Sequence, residues 1–193
     1  RREQLGVYLS ERLDTARYML VGEATGYQGG HFTGIAMTSE RLLLGGLGHR
    51  GVKPGQVFTT IQPRRTSKPS IKANGFSEPT ATIVWSHLAA MEIDTHRIII
   101  WNSCPWHSWN SNSKNGMLSN RTPRTSETLA GEATFRRLLA LTNIEHILAV
   151  GRRAQVLLSR MNIEAPVVRH PAMQGANDFR RQFTDWYHAH PSN

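Results

Sequence analysis

The sequence contains one cysteine, few acidic residues for its length and no long apolar run. The lone Cys104 excludes an intramolecular disulfide framework and any zinc or iron–sulfur site built on several thiolates, and it favours a reducing, cytoplasmic compartment. The missing apolar segment and the mean hydropathy of -0.41 argue against a membrane as partner. For 193 residues, 39% of them hydrophobic, we expect one domain that spans residues 1–193.

The acidic residues are outnumbered by the basic ones. There are 14 Asp and Glu against 23 Lys and Arg, which gives a formal net charge of +9. This balance favours a polyanionic partner such as nucleic acid over an acidic small molecule. Charge alone is equally compatible with an ordinary basic surface.

Four short apolar segments alternate with amphipathic segments along the chain. The apolar segments predict strands at residues 18–21, 97–101, 146–150 and 166–169, the first ending at Gly22 and the second at Asn102. The amphipathic segments predict helices at residues 1–13, 38–44, 80–91, 126–141, 154–161 and 176–188. This alternation predicts an α/β fold, a three-layer α/β/α sandwich with a central four-stranded, mainly parallel sheet.

A glycine-rich stretch follows the first predicted strand. Residues 22–34 carry five glycines, the carboxylate of Glu23 and the imidazole of His31. Glycine lets backbone N–H groups approach a ligand closely, and open α/β sheets build ligand sites at the carboxyl ends of strands. A second glycine pattern, at residues 46–51, matches the spacing of a dinucleotide fingerprint, but it follows a helical leucine run instead of a strand, so we reject it.

Polar residues follow three of the four predicted strands. Gly22-Glu23-Ala24 follows the first, Asn102 follows the second and His170-Pro171 follows the fourth. Each of these is by itself typical of a loop or a turn. Because the carboxyl ends of parallel strands meet at one edge of the sheet, we expect the three groups to surround one crevice.

The stretch from residue 53 to residue 79 has no periodicity, and prolines alternate in it with basic residues. Its cations include Arg64, Arg65 and Lys68. Long loops in compact domains are often functional. We interpret this one as an arm that contacts phosphates, with a solvated insertion as the alternative.

Four motifs together resemble those of the uracil-DNA glycosylase superfamily in order and spacing. They are Gly-Glu-Ala-Thr-Gly at 22–26, Gly-Ile-Ala-Met-Thr at 34–38, the strand-end Asn102, and His-Pro-Ala-Met-Gln-Gly at 170–175. The resemblance covers about residues 18–180. It implies an enzyme that excises uracil from DNA by hydrolysing the N-glycosidic bond, with a four-stranded parallel sheet between helices and no metal or redox cofactor. We expect a monomer that acts on uracil-containing DNA and, in a bacterium, associates with the nucleoid.

The resemblance also implies a role for each motif. Asn102 would read uracil, because an amide can donate to O4 while it accepts from N3–H; cytosine presents the opposite pair and is rejected only if a second group prevents the amide from flipping. Backbone groups from Gly22 to Ala24, together with His170, would hold uracil O2 as the leaving base becomes anionic. Met173 and Gln174 would fill the stack that the flipped base leaves. The predicted phosphate contacts are Arg64, Arg65, Lys68, Arg121, Arg124 and Arg169.

Ala24 stands where many family members carry an Asp or Asn that activates water. Either Glu23 orients the water, or the bond breaks dissociatively and a weakly held water captures the sugar cation. Gln28 and His31 are weaker candidates for this role.

Two further positions differ from the family. Met37 occupies the place of a phenylalanine that stacks on uracil, and Phe32 and Trp106 are alternative stacking residues. Gly26 occupies the place of a tyrosine that excludes the thymine methyl group in some members, and Tyr27 is the available substitute.

Two other functions compete with this interpretation. The lack of a water-activating residue at Ala24 also fits a non-catalytic binder of damaged or abasic DNA. A hydrolase of free nucleosides or nucleotides is the second rival, but it would need neither the basic loop nor the charge of +9.

Overall fold

The computed structural model describes residues 1–192. Its strands are β1 (Tyr18–Thr25), β2 (Ile98–His107), β3 (His146–Val150) and β4 (Val167–Val168). Its helices are α1 (Arg2–Ser10), α2 (Gly30–Thr33), α3 (Glu40–Leu43), α4 (Pro79–Ala90), α5 (Thr125–Ala140), α6 (Arg152–Arg160) and α7 (Ala176–Ala189). Short 3-10 turns occur at Gly48–Arg50, Pro54–Gln56 and Thr95–Arg97.

The four strands form one sheet in the order β2-β1-β3-β4, and all the pairs are parallel. β1 lies in the middle, because its Tyr18 pairs with Ile98 of β2 on one side and with His146 of β3 on the other. The predicted three-layer sandwich with a four-stranded parallel sheet is confirmed. A parallel arrangement brings the carboxyl ends of the strands to one edge.

Side chains alternate in direction along the strands, and this alternation divides the core into two layers. Tyr18 and Leu20 of β1 face one cluster, to which α1, α3, α4 and α7 contribute, whereas Met19 and Val21 face a second cluster built on α5 and α6. Successive strand residues point to opposite faces, so a strand that is apolar on both sides is covered by helices on both sides.

The predicted ends of the first two strands are wrong. β1 continues past Gly22 to Thr25, and β2 continues past Asn102 to His107. Glycine and asparagine do not end these strands because each strand supplies the other with a hydrogen-bonding partner: Gly22 pairs with Asn102 and Ala24 pairs with Cys104. A register shift after Ala24 brings Thr25 opposite His107. Glu23, Ala24 and Asn102 are therefore held by a sheet instead of a loop.

The first helix is shorter than predicted. The helical spacing of Leu5, Leu9 and Leu13, with Tyr8, predicts its buried face, and Tyr8, Leu5 and Leu9 do pack against the core. Two polar residues of this segment, Gln4 and Arg12, are also fully buried. The Arg12 guanidinium donates to the carbonyl groups of residues 8, 56, 57 and 98, and it thereby ties the N-terminal segment to the sheet. Its burial is balanced by these hydrogen bonds.

The long basic stretch is a loop, as predicted, with one 3-10 turn. Three buried or partly buried side chains hold its backbone. Glu11 accepts from the N–H groups of residues 59 and 60, Gln4 accepts from that of residue 64, and Glu40 accepts from those of residues 66 and 67. The loop thus lies against α1 and α3.

Candidate active site

A cavity of about 390 Å³ opens at the carboxyl ends of β1 and β2, and we call it the strand-end cavity. Its size lies within the roughly 300–1,000 Å³ of small-molecule sites. Its wall contains Gly22, Glu23, Ala24, Thr25, Gly26, Met37, Glu78, Thr80, Asn102, residues 120–123, Arg153 and His170. The first, second and fourth strands therefore deliver their polar residues to one crevice, as the parallel topology predicts.

Asn102 is held rigidly at the bottom of this cavity and is only 1% exposed. The surrounding donors and acceptors orient its amide. The oxygen accepts from the N–H of Thr25 at 3.2 Å, and the nitrogen donates to the carbonyl oxygen of Trp101 at 3.2 Å. The Thr25 hydroxyl lies 2.8 Å from the carbonyl oxygen of Pro105, to which it donates its one proton. Exchanging the donor and acceptor sides of the amide would lose both backbone hydrogen bonds and gain one, from the amide nitrogen to the Thr25 hydroxyl at 3.3 Å, so this orientation is favoured.

Gly22 is required beside this amide. A Cβ at this position would lie 2.5 Å from one terminal atom of the Asn102 amide and 3.4 Å from Cε of Met37. Any larger residue would therefore push the amide out of the cavity wall. Met37 itself is buried and adopts a positive φ of 43°, which few side chains tolerate.

His170 follows β4 and offers a defined hydrogen-bond donor. Its Nδ1 accepts from the N–H of Ala172 at 3.1 Å, so a neutral ring carries its proton on Nε2. Burial, and next the nearby charge of Arg169, lower the pKa of His170 below its usual value. The neutral ring with an Nε2–H donor is therefore the favoured form at the wall of the cavity.

Glu23 is at the wall of the cavity but has a cationic partner. Its carboxylate lies 3.3 Å from the guanidinium of Arg153, which also donates to the hydroxyl of Thr122 at 3.1 Å. The pair is open to solvent, because the Arg153 side chain is 69% exposed.

Glu78 precedes α4 and is the second carboxylate of the wall. Its side chain turns away from the N–H groups of its own helix, since it makes no capping hydrogen bond. It packs instead over the turn that joins β1 to α2: a Cβ on Gly29 would overlap its carboxylate, and a Cβ on Gly26 would lie 3.2 Å from Oε1. Its Oε2 is fully buried and has no hydrogen-bond partner among the described residues. Burial raises the pKa of Glu78 to about 7.

The turn between β1 and α2 is fastened to the segment after β2. Nε2 of His107 donates to the Ser119 carbonyl oxygen at 2.8 Å, so its Nδ1 accepts from Nδ1 of His31 at 3.0 Å. The N–H of Tyr27 donates to the side-chain oxygen of Asn120 at 3.0 Å. Burial, and next the neighbouring His107, lower the pKa of His31 to about 4. His31 is thus committed to His107.

The residues predicted to contact DNA fall into two groups. Arg121 lines the strand-end cavity, where it donates to both carboxylate oxygens of Glu127 and lowers the pKa of that group to about 2. Arg124, Arg169, Met173 and Gln174 are exposed at the starts of α5 and α7 or just before them. Met173 and Gln174 both have positive φ, and Met173 is 89% exposed.

The predicted DNA-contacting cations of the basic loop lie outside the wall of the cavity. Arg64 pairs with Glu3 at 3.0 Å, and Arg65 folds its guanidinium onto carbonyl groups of residues 67, 72 and 73, while Lys68 is exposed. Whether these residues reach DNA stays a prediction.

Three predicted substrate residues also lie outside this wall. Phe32 stacks on Phe76 with a centroid distance of 4.3 Å. Tyr27 belongs to the turn after β1, and Trp106 is 48% exposed on β2. Gly22, Ala24, Met37 and Asn102 are the predicted substrate residues that meet in the cavity.

Sequence reasoning missed Glu78, Arg153 and Thr25. Arg153 comes shortly after the end of β3. The run Gly151-Arg152-Arg153 was the signal in the sequence that a cation lies at this strand end as well. Nothing in the sequence near Glu78 distinguishes it from a surface residue, because its burial depends on glycines about fifty residues earlier in the chain.

The geometry does not support a nucleophilic role for Cys104. Cys104 is buried, and its burial raises the pKa of the thiol, which disfavours the nucleophilic thiolate. Within residues 1–192, no group of three or more potential metal-ligating side chains is assembled, and no helix is long and apolar enough to cross a membrane.

A larger groove of about 680 Å³ runs along α6 and residues 163–166. It shares no residue with the strand-end cavity, where the predicted residues converge.

Comparisons with known proteins identify the family and the fold of this chain. A family model described as the uracil DNA glycosylase superfamily matches residues 11–193. Among 19 matching chains of solved structures is wild-type SMUG2 from Pedobacter heparinus, with a TM-score of 0.65 and 16% sequence identity over 91% of this chain and 76% of that chain. At this identity the likeness establishes the fold. No curated protein sequence matches the chain.

Proposed function

The chain belongs to the uracil DNA glycosylase superfamily, and from that premise we propose that it removes uracil from DNA by hydrolysing the N-glycosidic bond, leaving an abasic site. The observation that carries the specificity for uracil is the fixed amide of Asn102. The family supports a DNA glycosylase, and the geometry of this amide supports the choice of base.

Asn102 is proposed to read the pyrimidine edge. After its hydrogen bonds to the backbone of Thr25 and Trp101, the amide retains one N–H and one oxygen lone pair. Uracil supplies O4 as acceptor and N3–H as donor, which match this pair. Cytosine would place its N4 donor against the amide N–H and its N3 acceptor against the amide oxygen. The two backbone partners hold the amide against the rotation that would relieve this mismatch.

His170 is proposed to stabilise the departing base. Cleavage of the bond between C1′ and N1 leaves negative charge on uracil, shared with O2. A neutral imidazole with Nε2–H as donor can hydrogen-bond that oxygen more strongly as charge develops on it. Backbone N–H groups of β1 are proposed to help hold the same oxygen. β1 pairs with β3 only up to Val21, so from Gly22 onward its edge on that side has no partner strand in the described chain.

A flipped base leaves a gap in the duplex that must be filled. Met173 is proposed to enter this gap, since it is almost fully exposed and its loop follows His170 directly. Arg121, Arg124, Arg153 and Arg169 are placed near the cavity and are proposed to hold the flanking phosphates.

The test is strand cleavage after alkali, with a labelled oligonucleotide that contains one uracil and a matched control with thymine. We expect cleavage at uracil only, and we expect Asn102→Ala to abolish it while the protein still binds DNA. Free deoxyuridine serves as a second substrate and should not be hydrolysed.

Three outcomes would contradict the proposal. Tight binding to abasic DNA without base release would indicate a damage-binding protein. Equal turnover of deoxyuridine would indicate a nucleoside hydrolase, and full activity of Asn102→Ala would remove this residue from base recognition.

A further inference from the structure

We propose that Glu78 is the general base that takes a proton from the water attacking the sugar. This inference rests on the proposed glycosylase function and adds to it a catalytic residue that lies outside all the motifs shared with the family. It addresses the position at Ala24, where the chain has no side chain able to activate water.

The first support is where Glu78 lies. It shares the wall of the strand-end cavity with Ala24, Asn102 and His170, although it comes from the start of α4. Gly26 and Gly29 leave the space that its carboxylate occupies. The carboxylate therefore reaches the turn after β1 from the start of α4, in the same cavity wall as Ala24.

The second support is its lack of a partner. Oε2 is fully buried, and no donor from the described residues reaches it. A buried carboxylate oxygen without a hydrogen bond disfavours the ionised form, so the carboxylate gains from taking up a proton. Oε1, which lies on the side of Gly26 in the cavity wall, is the oxygen proposed to receive that proton from water. Structural carboxylates in this protein behave differently: Glu11 and Glu40 accept several backbone N–H groups each.

Glu23, the other carboxylate of the wall, is less suited to accepting the proton. Arg153 lies 3.3 Å from it, and a proton on Glu23 would have to displace that interaction. Glu78 has no such competitor. The two carboxylates differ in role because one is paired and open to solvent, whereas the other is unpaired and enclosed.

The reaction balances with these groups alone. The bond from C1′ to N1 breaks, and its electron pair leaves with uracil, whose O2 is held by the Nε2–H of His170. The water oxygen bonds to C1′ as one water proton passes to the Glu78 carboxylate. Release of that proton to solvent, or to the uracil anion, regenerates the ionised carboxylate and completes the hydrolysis.

The ionisation of Glu78 suits a base at neutral pH. Its burial raises its pKa to about 7, close to the value at which a general base works best. The other charged or titratable groups of the wall are Glu23 on β1, Arg121 before α5, Arg153 on α6 and His170 after β4. The pKa of His170 is lowered, so its neutral form persists through the range in which Glu78 ionises.

The experiment measures single-turnover release of uracil against pH for the parent, for Glu78→Gln and for Glu23→Gln as the matched carboxylate-to-amide control. The parent rate should rise with pH, with a midpoint near the pKa of Glu78. Glu78→Gln should lose roughly 10²–10⁴-fold in rate and also lose this rise, while its affinity for uracil-containing DNA stays within a few-fold. Glu23→Gln should keep the midpoint. Glu78→Ala should recover part of the rate when formate is added as an external base.

Each contrary result has a distinct meaning. If the parent releases uracil and Glu78→Gln keeps both its rate and the midpoint, the role of Glu78 is overturned and the glycosylase function stands. If Glu78→Gln loses rate only together with DNA affinity, and formate restores nothing, Glu78 is structural and the proposal fails. A parent that releases no uracil overturns both the function and this inference.

Discussion

The contribution of Glu78 to the free energy of unfolding should fall as pH rises through the range in which Glu78 ionises. In the unfolded chain this group ionises near its ordinary pKa of 4.5, whereas in the folded protein burial delays ionisation to about 7. Between these values the folded state binds more protons than the unfolded state, so folding is favoured at low pH and weakened at high pH. Replacing Glu78 by Gln removes this dependence, because an amide does not ionise.

The size of the effect follows from the two pKa values. One pKa unit corresponds to about 1.4 kcal/mol, so a shift from 4.5 to about 7 is worth roughly 3 kcal/mol in the free energy of unfolding. Most of this, roughly 2–3 kcal/mol, should develop between about pH 5 and about pH 8. Other groups act in the opposite direction: the lowered pKa values of His31, His87 and His170 make the folded state more stable as pH rises.

Urea unfolding of the parent and of Glu78→Gln at about pH 5 and about pH 8 separates these contributions. The histidines are present in both proteins, so the difference between the two pH dependences isolates Glu78. We expect the unfolding free energy of the variant to gain roughly 2–3 kcal/mol on that of the parent between the two pH values. Parallel pH curves would show that the Glu78 carboxylate is solvated in the folded protein, and the burial argument would then be wrong.

Three further substitutions test the contacts around the site. Thr25→Val should cost about 1 kcal/mol in unfolding free energy through the lost hydroxyl bond but keep the preference for uracil over cytosine, since a backbone N–H orients Asn102; release of cytosine by this variant would show that the hydroxyl sets the orientation. His107→Leu should cost about 1–3 kcal/mol in urea unfolding, because His31 loses its acceptor. An unchanged unfolding midpoint would mean that this contact adds no stability. Arg64→Gln should weaken DNA binding and reduce the slope of log affinity against log salt by about 1, and an unaltered slope would exclude that loop from the interface.

The strands and helices were predictable because their signals are local. The β-branched run at residues 98–100 is buried as predicted, and the structure agrees to within one or two residues at most helix ends. The buried face of α5 differs from the predicted one: Leu138 is buried, but Leu129 is 62% exposed and Phe135 is buried instead. The ends of β1 and β2 were not predictable in this way. Gly22 and Asn102 are poor strand formers, and they stay in strands because each is paired with the other.

The N-terminal helix illustrates the same limit. The spacing of Leu5, Leu9 and Leu13, with Tyr8, pointed to an apolar buried face, but the polar side chains of Gln4 and Arg12 are also fully buried. Both polar side chains are buried because they bond to backbone groups of distant segments, such as the carbonyl groups of Thr33 and Ile98. Periodicity contains no information about such partners.

Local periodicity and the order of residues at strand ends were enough to predict the parallel sheet and the edge at which Gly22, Asn102 and His170 meet, and the resemblance to the family supplied the motifs around Asn102 and His170. Only the packing of distant segments shows which carboxylate of the cavity wall has no partner within residues 1–192. Glu23 was the visible candidate and is paired with Arg153, whereas Glu78 is enclosed by glycines from another segment and has no partner among the residues described. The acidity of a carboxylate depends on the atoms that surround it in space, and those atoms belong to residues far away in the chain.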